Sequence, residues 1–201
     1  MFWTSVTDFG DSAVTLPLAA ASFAFLAVSG WRRGALAFAL AVLGCGAAIG
    51  LAKLLLESCG ERIVDGGAIN PSGHVAMSTA VYGALAVLLG SSAAPRWRWS
   101  LLALAGLLAA AIAASRVVLG AHTSVEVGGG FAIGLVAAIS FDRLLRAGPI
   151  KPLRLGWLAA AALVIILVMH GSRWPIENAI HSMVALLRHH VPQCVAGQAV
   201  G

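Results

Sequence analysis

The chain has 201 residues, of which 60% are hydrophobic and only 10% charged, and its mean hydropathy is +0.92. A soluble domain of that length needs more polar residues to cover its surface, so the composition excludes one and points to a membrane protein. Lys and Arg outnumber Asp and Glu by 13 to 8, yet the bases sit in short loops between apolar runs. No basic stripe or aromatic-interleaved patch exists of the kind nucleic acid requires.

In chain order, Met1 to Asp11 carry two acids and no base. They lack the positive region of a cleavable signal peptide, so the first apolar run is expected to remain as a helix. Six spans are predicted: Val14–Gly30, Ala35–Leu56, His74–Ser91, Ser100–Leu119, Val125–Leu145 and Leu155–His170. They approach or exceed the roughly 18–20 residues that cross a hydrocarbon core. Trp31-Arg32-Arg33-Gly34, Ala94-Pro95-Arg96, Gly148-Pro149 and Trp174-Pro175 punctuate them. With no Gly/Ser linker or shift in composition, residues 1–201 read as one all-α domain, a polytopic membrane helix bundle of about six transmembrane helices. Gly46 with Gly50, and Gly130 with Gly134, stand four apart, a spacing that lets helix backbones approach within lipid. Beyond the last span, Ile176, Ile180, Met183, Val184 and Leu187 share one helical face over 175–190. That pattern predicts a C-terminal interfacial helix on the outer surface.

Orientation follows from the bases. Arg32, Arg33, Arg96, Arg98, Arg143, Arg146, Lys151 and Arg154 fall on one side, eight of the 13. The positive-inside rule assigns that side to the cytoplasm and both termini to the exterior. Seven of the eight acids then lie outside, with only Asp142 inside.

Polar side chains near membrane spans are candidates for function, because burying them is costly unless they are paired. Four clusters stand out. Lys53 ends the second span and precedes Glu57, Glu61, Arg62 and Asp65; Asn70-Pro71-Ser72-Gly73-His74 opens the third; Ser115-Arg116 closes the fourth; His122 and Glu126 open the fifth. Ends of even spans and starts of odd ones share a membrane face, so all four converge on the outer side. Lys53, Arg116 and Arg62 supply positive charge, and Arg grips phosphate oxygens with two parallel bonds. Pro71 suits the first helical turn or the turn before it, leaving amides around Ser72 and Gly73 to face an anion. His122 and Glu126, four apart, would share a helix face, so that the carboxylate fixes the imidazole tautomer. His74 is a second imidazole, suited to protonating a leaving group. A nucleophile, its orienting acid, a general acid and an anion cradle are the parts that phosphate-ester cleavage needs. Lys53 has a plainer reading as a side chain snorkelling to the interface.

Pro71-Ser72-Gly73-His74 followed by Ser115-Arg116-x5-His122-x3-Glu126 resembles the type 2 phosphatidic acid phosphatase superfamily, whose motifs are K-x6-R-P, P-S-G-H and S-R-x5-H-x3-D. The resemblance spans Lys53 to Glu126. It implies that His122 attacks phosphorus to form a phosphohistidine, that Glu126 orients it, and that His74 protonates the departing oxygen and then activates water. It further implies that Lys53, Ser72, Gly73 and Arg116 hold the phosphoryl oxygens, with neither metal nor other cofactor. Two departures stand out. Glu126 occupies the usual Asp position, and Gly60 stands where the first motif has its arginine, leaving Arg62, followed by Ile63, as the nearest substitute.

The expected activity is hydrolysis of a lipid phosphate or pyrophosphate at the outer leaflet of a bacterial inner membrane, with the site facing the periplasm. Undecaprenyl pyrophosphate is the first candidate; phosphatidylglycerol phosphate, phosphatidic acid and a lipid A phosphate are others. Membrane lipids and the lipid phosphate are the expected partners. Competing readings are transfer of phosphate to another lipid, a non-catalytic lipid-binding or transport protein, and a vanadate haloperoxidase, disfavoured because those relatives are soluble. His170, His181, His189 and His190 lack ligand-like spacing, so no metal site is expected. Cys45 reads as a packing residue, whereas Cys59 and Cys194, both outside, are candidates for a disulfide.

Overall fold

The computed structural model describes residues 1–59, 70–91, 94–149 and 153–174 together with Ser182, with side chains from 1 to 54 in the first segment. Arg62, the Cys59–Cys194 pairing and the amphipathic segment 175–190, Ser182 apart, lie outside the described residues. Among the described residues seven helices follow one another: α1 Phe2–Asp8, α2 Ser12–Val28, α3 Arg32–Cys59, α4 Gly73–Gly90, α5 Pro95–Val118, α6 Ser124–Arg146 and α7 Leu155–Met169. No strand occurs among the described residues.

The six predicted spans correspond to α2 through α7, and α1 is an addition. It is a seven-residue helix whose Phe9–Gly10 turn leads straight into α2, so that Phe2–Val28 reads as one apolar element. Among the described residues, five elements are long and apolar enough to cross a membrane. The sixth predicted span is α7, apolar throughout but only 15 residues long. The protein is a multi-pass membrane helix bundle.

At the centre stands α4, with 72% of its residues buried, packed most extensively on α6 and then on α5. Glycine makes that contact possible. A Cβ on Gly130 would overlap the Ser72 backbone, and one on Gly134 would overlap the Ala76 carbonyl and Thr79. These two are the close-approach glycines the spacing predicted. Gly46 and Gly50 are not: a Cβ on Gly46 would meet only the Met77 sulfur, and one on Gly50 nothing within 4 Å. The identical spacing on α3 borders the Met77 side chain and a cavity instead of a neighbouring backbone.

The base-rich ends gather at one end of the bundle. Asp142 accepts from Arg98 at 3.0 Å and from Arg146 at 2.9 Å, and Arg33 reaches the Leu144 carbonyl. The start of α2, the ends of α3, α5 and α7, and the starts of α4 and α6 lie at the opposite end.

Candidate active site

Chain turns, more than helix faces, set the geometry at this opposite end. Helix α5 closes with Leu119 as its C-cap and Gly120 at φ +67°, a left-handed conformation that favours glycine. Gly120 donates to the Val117 carbonyl at 3.0 Å, and Ala121 donates to the Arg116 carbonyl at 3.0 Å. That pair of bonds is the Schellman arrangement, and it reverses the chain within five residues. His122 adds a third amide, donating to the same Arg116 carbonyl at 3.3 Å. The Arg-x5-His spacing is thus the length of a glycine-terminated helix end, and it hangs His122 from the residue that carries the guanidinium.

Helix α6 begins immediately afterwards. Thr123 is its N-cap, with the hydroxyl accepting from the Glu126 amide at 3.3 Å while Glu126 Oε2 accepts from the Thr123 amide at 2.8 Å. This reciprocal capping box needs a side chain long enough to reach back from the third helical position, which Glu supplies. The same Oε2 lies 3.3 Å from His122 Nδ1. The expected pairing therefore exists, but not by a shared helix face: His122 precedes the N-cap, and the capping carboxylate bends back to meet it. Glu126 Oε1 also accepts the Asn70 amide at 2.9 Å, so both of its oxygens are engaged. Glutamate, standing where the motif usually has aspartate, is the side chain that makes this cap.

Pro71 and Ser72 precede α4, with Ser72 as its N-cap. The Ser72 amide, expected to face an anion, donates instead to the Glu126 carbonyl at 3.0 Å and ties the start of α4 to the start of α6. The first-turn amides of Gly73, His74 and Val75 have no acceptor within the helix, which leaves them to an anion. The Ser72 hydroxyl is fully buried and has no hydrogen-bond partner among the described residues. Ser115, also fully buried, commits its hydroxyl to the Ile112 carbonyl at 2.6 Å and so supports the turn.

A cavity of about 510 Å³ opens here. Lys53, Gly73, His74 and Arg116 line it together with Asp11 and Thr7, and Leu16, Ile49, Gly50 and Met77 add apolar lining. Lys53 is only 2% exposed, and its stem runs past Gly73. A lysine so deeply enclosed requires compensating negative charge. Ser72, His122 and Glu126 do not line the cavity themselves. They form a cluster joined to it through Ser72–Gly73 and through the Arg116 carbonyl.

One acid in this wall is not apparent from sequence. Asp11 caps α2, accepting from the Ala13 amide at 2.8 Å, and its Oδ2 stands 3.5 Å from His74 Nε2. The Trp174 amide donates to Asp11 Oδ1 at 3.2 Å, and Arg173 pairs with Asp8 at 3.0 Å. An Asp-Ser pair ahead of an apolar run signals a helix cap; nothing local signals a histidine partner.

A helical bundle in which the Pro-Ser-Gly-His start of one helix and the Arg-x5-His turn of another border a cation-lined cavity defines a class. The PAP2 superfamily model matches residues 53–148, and the chain belongs to that superfamily, a family of phosphatases of phosphate esters. Over an alignment of 184 residues the chain is 31% identical to the "Uncharacterized 22.5 kDa protein in cps region" of Klebsiella pneumoniae, covering 89% of this chain and 88% of the relative. No solved structure matches the chain significantly. Asp11, α1, α2 and α7 all lie outside the matched residues 53–148.

Proposed function

We propose that the protein is an inner-membrane phosphatase that hydrolyses a lipid phosphate or pyrophosphate at the outer leaflet, through a phosphohistidine on His122 and without a metal. The observation carrying this reading is the fully buried Ser72 hydroxyl, partnerless among the described residues, at the start of α4 and next to a cavity lined by Lys53 and Arg116. Burying a hydroxyl without a partner is costly, and a phosphoryl oxygen would satisfy it.

The chemistry follows from the hydrogen bonds. A carboxylate only accepts, so His122 Nδ1 carries the hydrogen facing Glu126, and Nε2 holds the lone pair that attacks phosphorus. As the Nε2–P bond forms and the P–O bond breaks, His74 passes a proton to the leaving oxygen. Water then attacks the phosphohistidine, gives that proton back to His74, and releases phosphate and free His122. Lys53, Arg116, the Ser72 hydroxyl and the Gly73 amide hold the oxygens that gain charge. Arg62 is proposed as a further cation from beyond the described residues.

The apolar side of the cavity, Leu16, Ile49 and Met77 beside the vacant flank of Gly50, supports a substrate with a hydrocarbon chain. The gathering of arginines at the other end of the bundle supports a site facing the periplasm. Undecaprenyl pyrophosphate is the first candidate, because recycling that carrier needs an outward-facing phosphatase. The test is phosphate release by purified protein from a panel of lipid phosphates in chelator, beside His122→Ala. Hydrolysis predicts release from at least one lipid, reduced by several orders of magnitude in the variant; equal release by both proteins would reject it. Labelled donor lipid with and without an acceptor lipid separates hydrolysis from phosphotransfer.

A further inference from the structure

We propose that Asp11 is the positioning residue for His74, holding the tautomer in which Nδ1 is the nitrogen that gives and regains the proton. This rests on the reading of His74 as the general acid. Asp11 is buried, and its two oxygens have separate duties. Oδ1 accepts from the Ala13 amide at 2.8 Å and the Trp174 amide at 3.2 Å, while Oδ2 faces His74 Nε2 at 3.5 Å. The two backbone bonds fix the carboxylate from two elements, the start of α2 and the turn after α7. The 3.5 Å contact is loose, as catalytic contacts often are before substrate tightens them. Asp11 also lines the cavity beside His74, so the contact lies at the site itself.

The consequence is a division of labour within the ring. A carboxylate is acceptor-only, so Nε2 must carry the hydrogen that faces it. In the charged ring both nitrogens carry hydrogen, and the one available to the leaving oxygen is Nδ1. When the P–O bond breaks, the Nδ1 hydrogen moves to that oxygen and neutral His74 keeps Nε2–H against Asp11. When water attacks the phosphohistidine, its proton returns to Nδ1. Asp11 gains and loses nothing; it selects which nitrogen works. His122 has the mirror arrangement, with Nδ1 facing Glu126 and Nε2 as the nitrogen that reacts.

Asp11→Asn is the sharpest variant. Asn is as good a helix cap as Asp, so its carbonyl oxygen keeps the Ala13 and Trp174 bonds and its amide turns toward His74. A donor then faces Nε2–H, which disfavours the charged ring and the working tautomer. The experiment compares kcat/KM on phosphatidic acid, whose alkoxide needs a proton to leave, with p-nitrophenyl phosphate, whose phenolate does not. Asp11→Asn in the full chain should lose about 100-fold on phosphatidic acid and less than about 5-fold on the aryl ester. His74→Ala should show the same divergence. Equal losses on both substrates, or no loss on either, would overturn the assignment of Asp11. Absence of divergence in His74→Ala would overturn the general-acid reading beneath it. Thermal unfolding identifies global misfolding: an Asp11→Asn protein that unfolds well below the parent and loses both activities equally also counts against the proposal.

Discussion

Two imidazoles stand at this end of the bundle, each against a carboxylate that also caps a helix, yet the pairs are built differently. His122 and Glu126 are neighbours in the chain, joined by one turn and one capping box, and Glu126 takes two backbone amides besides the ring. His74 and Asp11 come from different helices, and their contact depends on how α2 and the turn after α7 pack around α4. The local pair is specified by a short stretch of backbone, the distant one by the tertiary fold. In the proposed mechanism the nucleophile His122 must be aimed at one atom, whereas the acid His74 needs a defined proton on one side of its ring. The tighter construction goes with the stricter demand.

Breaking the local pair should have the largest effect. Glu126→Gln retains a capping side chain but allows an amide donor to face His122 Nδ1. Activity on any substrate, aryl or alkyl, is expected to fall about 1,000-fold or more, measured as kcat of phosphate release. Equal loss on both ester types would set this pair apart from the His74 pair, whose loss depends on the leaving group. Next comes the turn. Gly120→Val forces a branched residue into the left-handed region at a cost of about 1–2 kcal/mol. It should displace His122 relative to Arg116, lowering kcat by about 10–100-fold with little change in helical content by circular dichroism.

The frame beneath both pairs responds differently. Gly134→Ala inserts a methyl against the Ala76 carbonyl and is expected to destabilise the protein by about 1–3 kcal/mol, read as a lower unfolding temperature. Gly50→Ala, with nothing within reach of its Cβ, should change stability by less than about 0.5 kcal/mol. Smallest of all is Arg173→Ala. This exposed arginine pairs with Asp8, one turn ahead of Asp11, and exposed pairs contribute little. Its removal should lower kcat on phosphatidic acid by less than about 3-fold and leave the aryl ester unchanged.

What could be read in advance follows the same division. The spacings Arg-x5-His and His-x3-Glu encode a helix end, a reversal and a capping box, all of them local structures, so residues 116–126 announce their own geometry. The shared helix face for His122 and Glu126 was the wrong picture, because spacing alone does not say that Thr123 begins a new helix. Asp11 was hidden, since its partner lies on another helix and only packing brings the two together. Helix α1 was missed because seven residues of mixed polarity carry no readable period. Gly46 and Gly50 carry the same spacing as Gly130 and Gly134 but face a cavity, and what lies opposite a helix is not written in that helix. The glycines of α6 matter because a backbone happens to sit against them.

The most direct test of the central claim is a structure of the protein with orthovanadate, an analogue of the five-coordinate phosphorus of the transition state. Vanadium is expected bonded to His122 Nε2, its equatorial oxygens held by Ser72, Gly73 and Arg116, and its apical oxygen facing His74 Nδ1. Vanadate bound away from His122, or bound there with His74 turned out of reach, would contradict it.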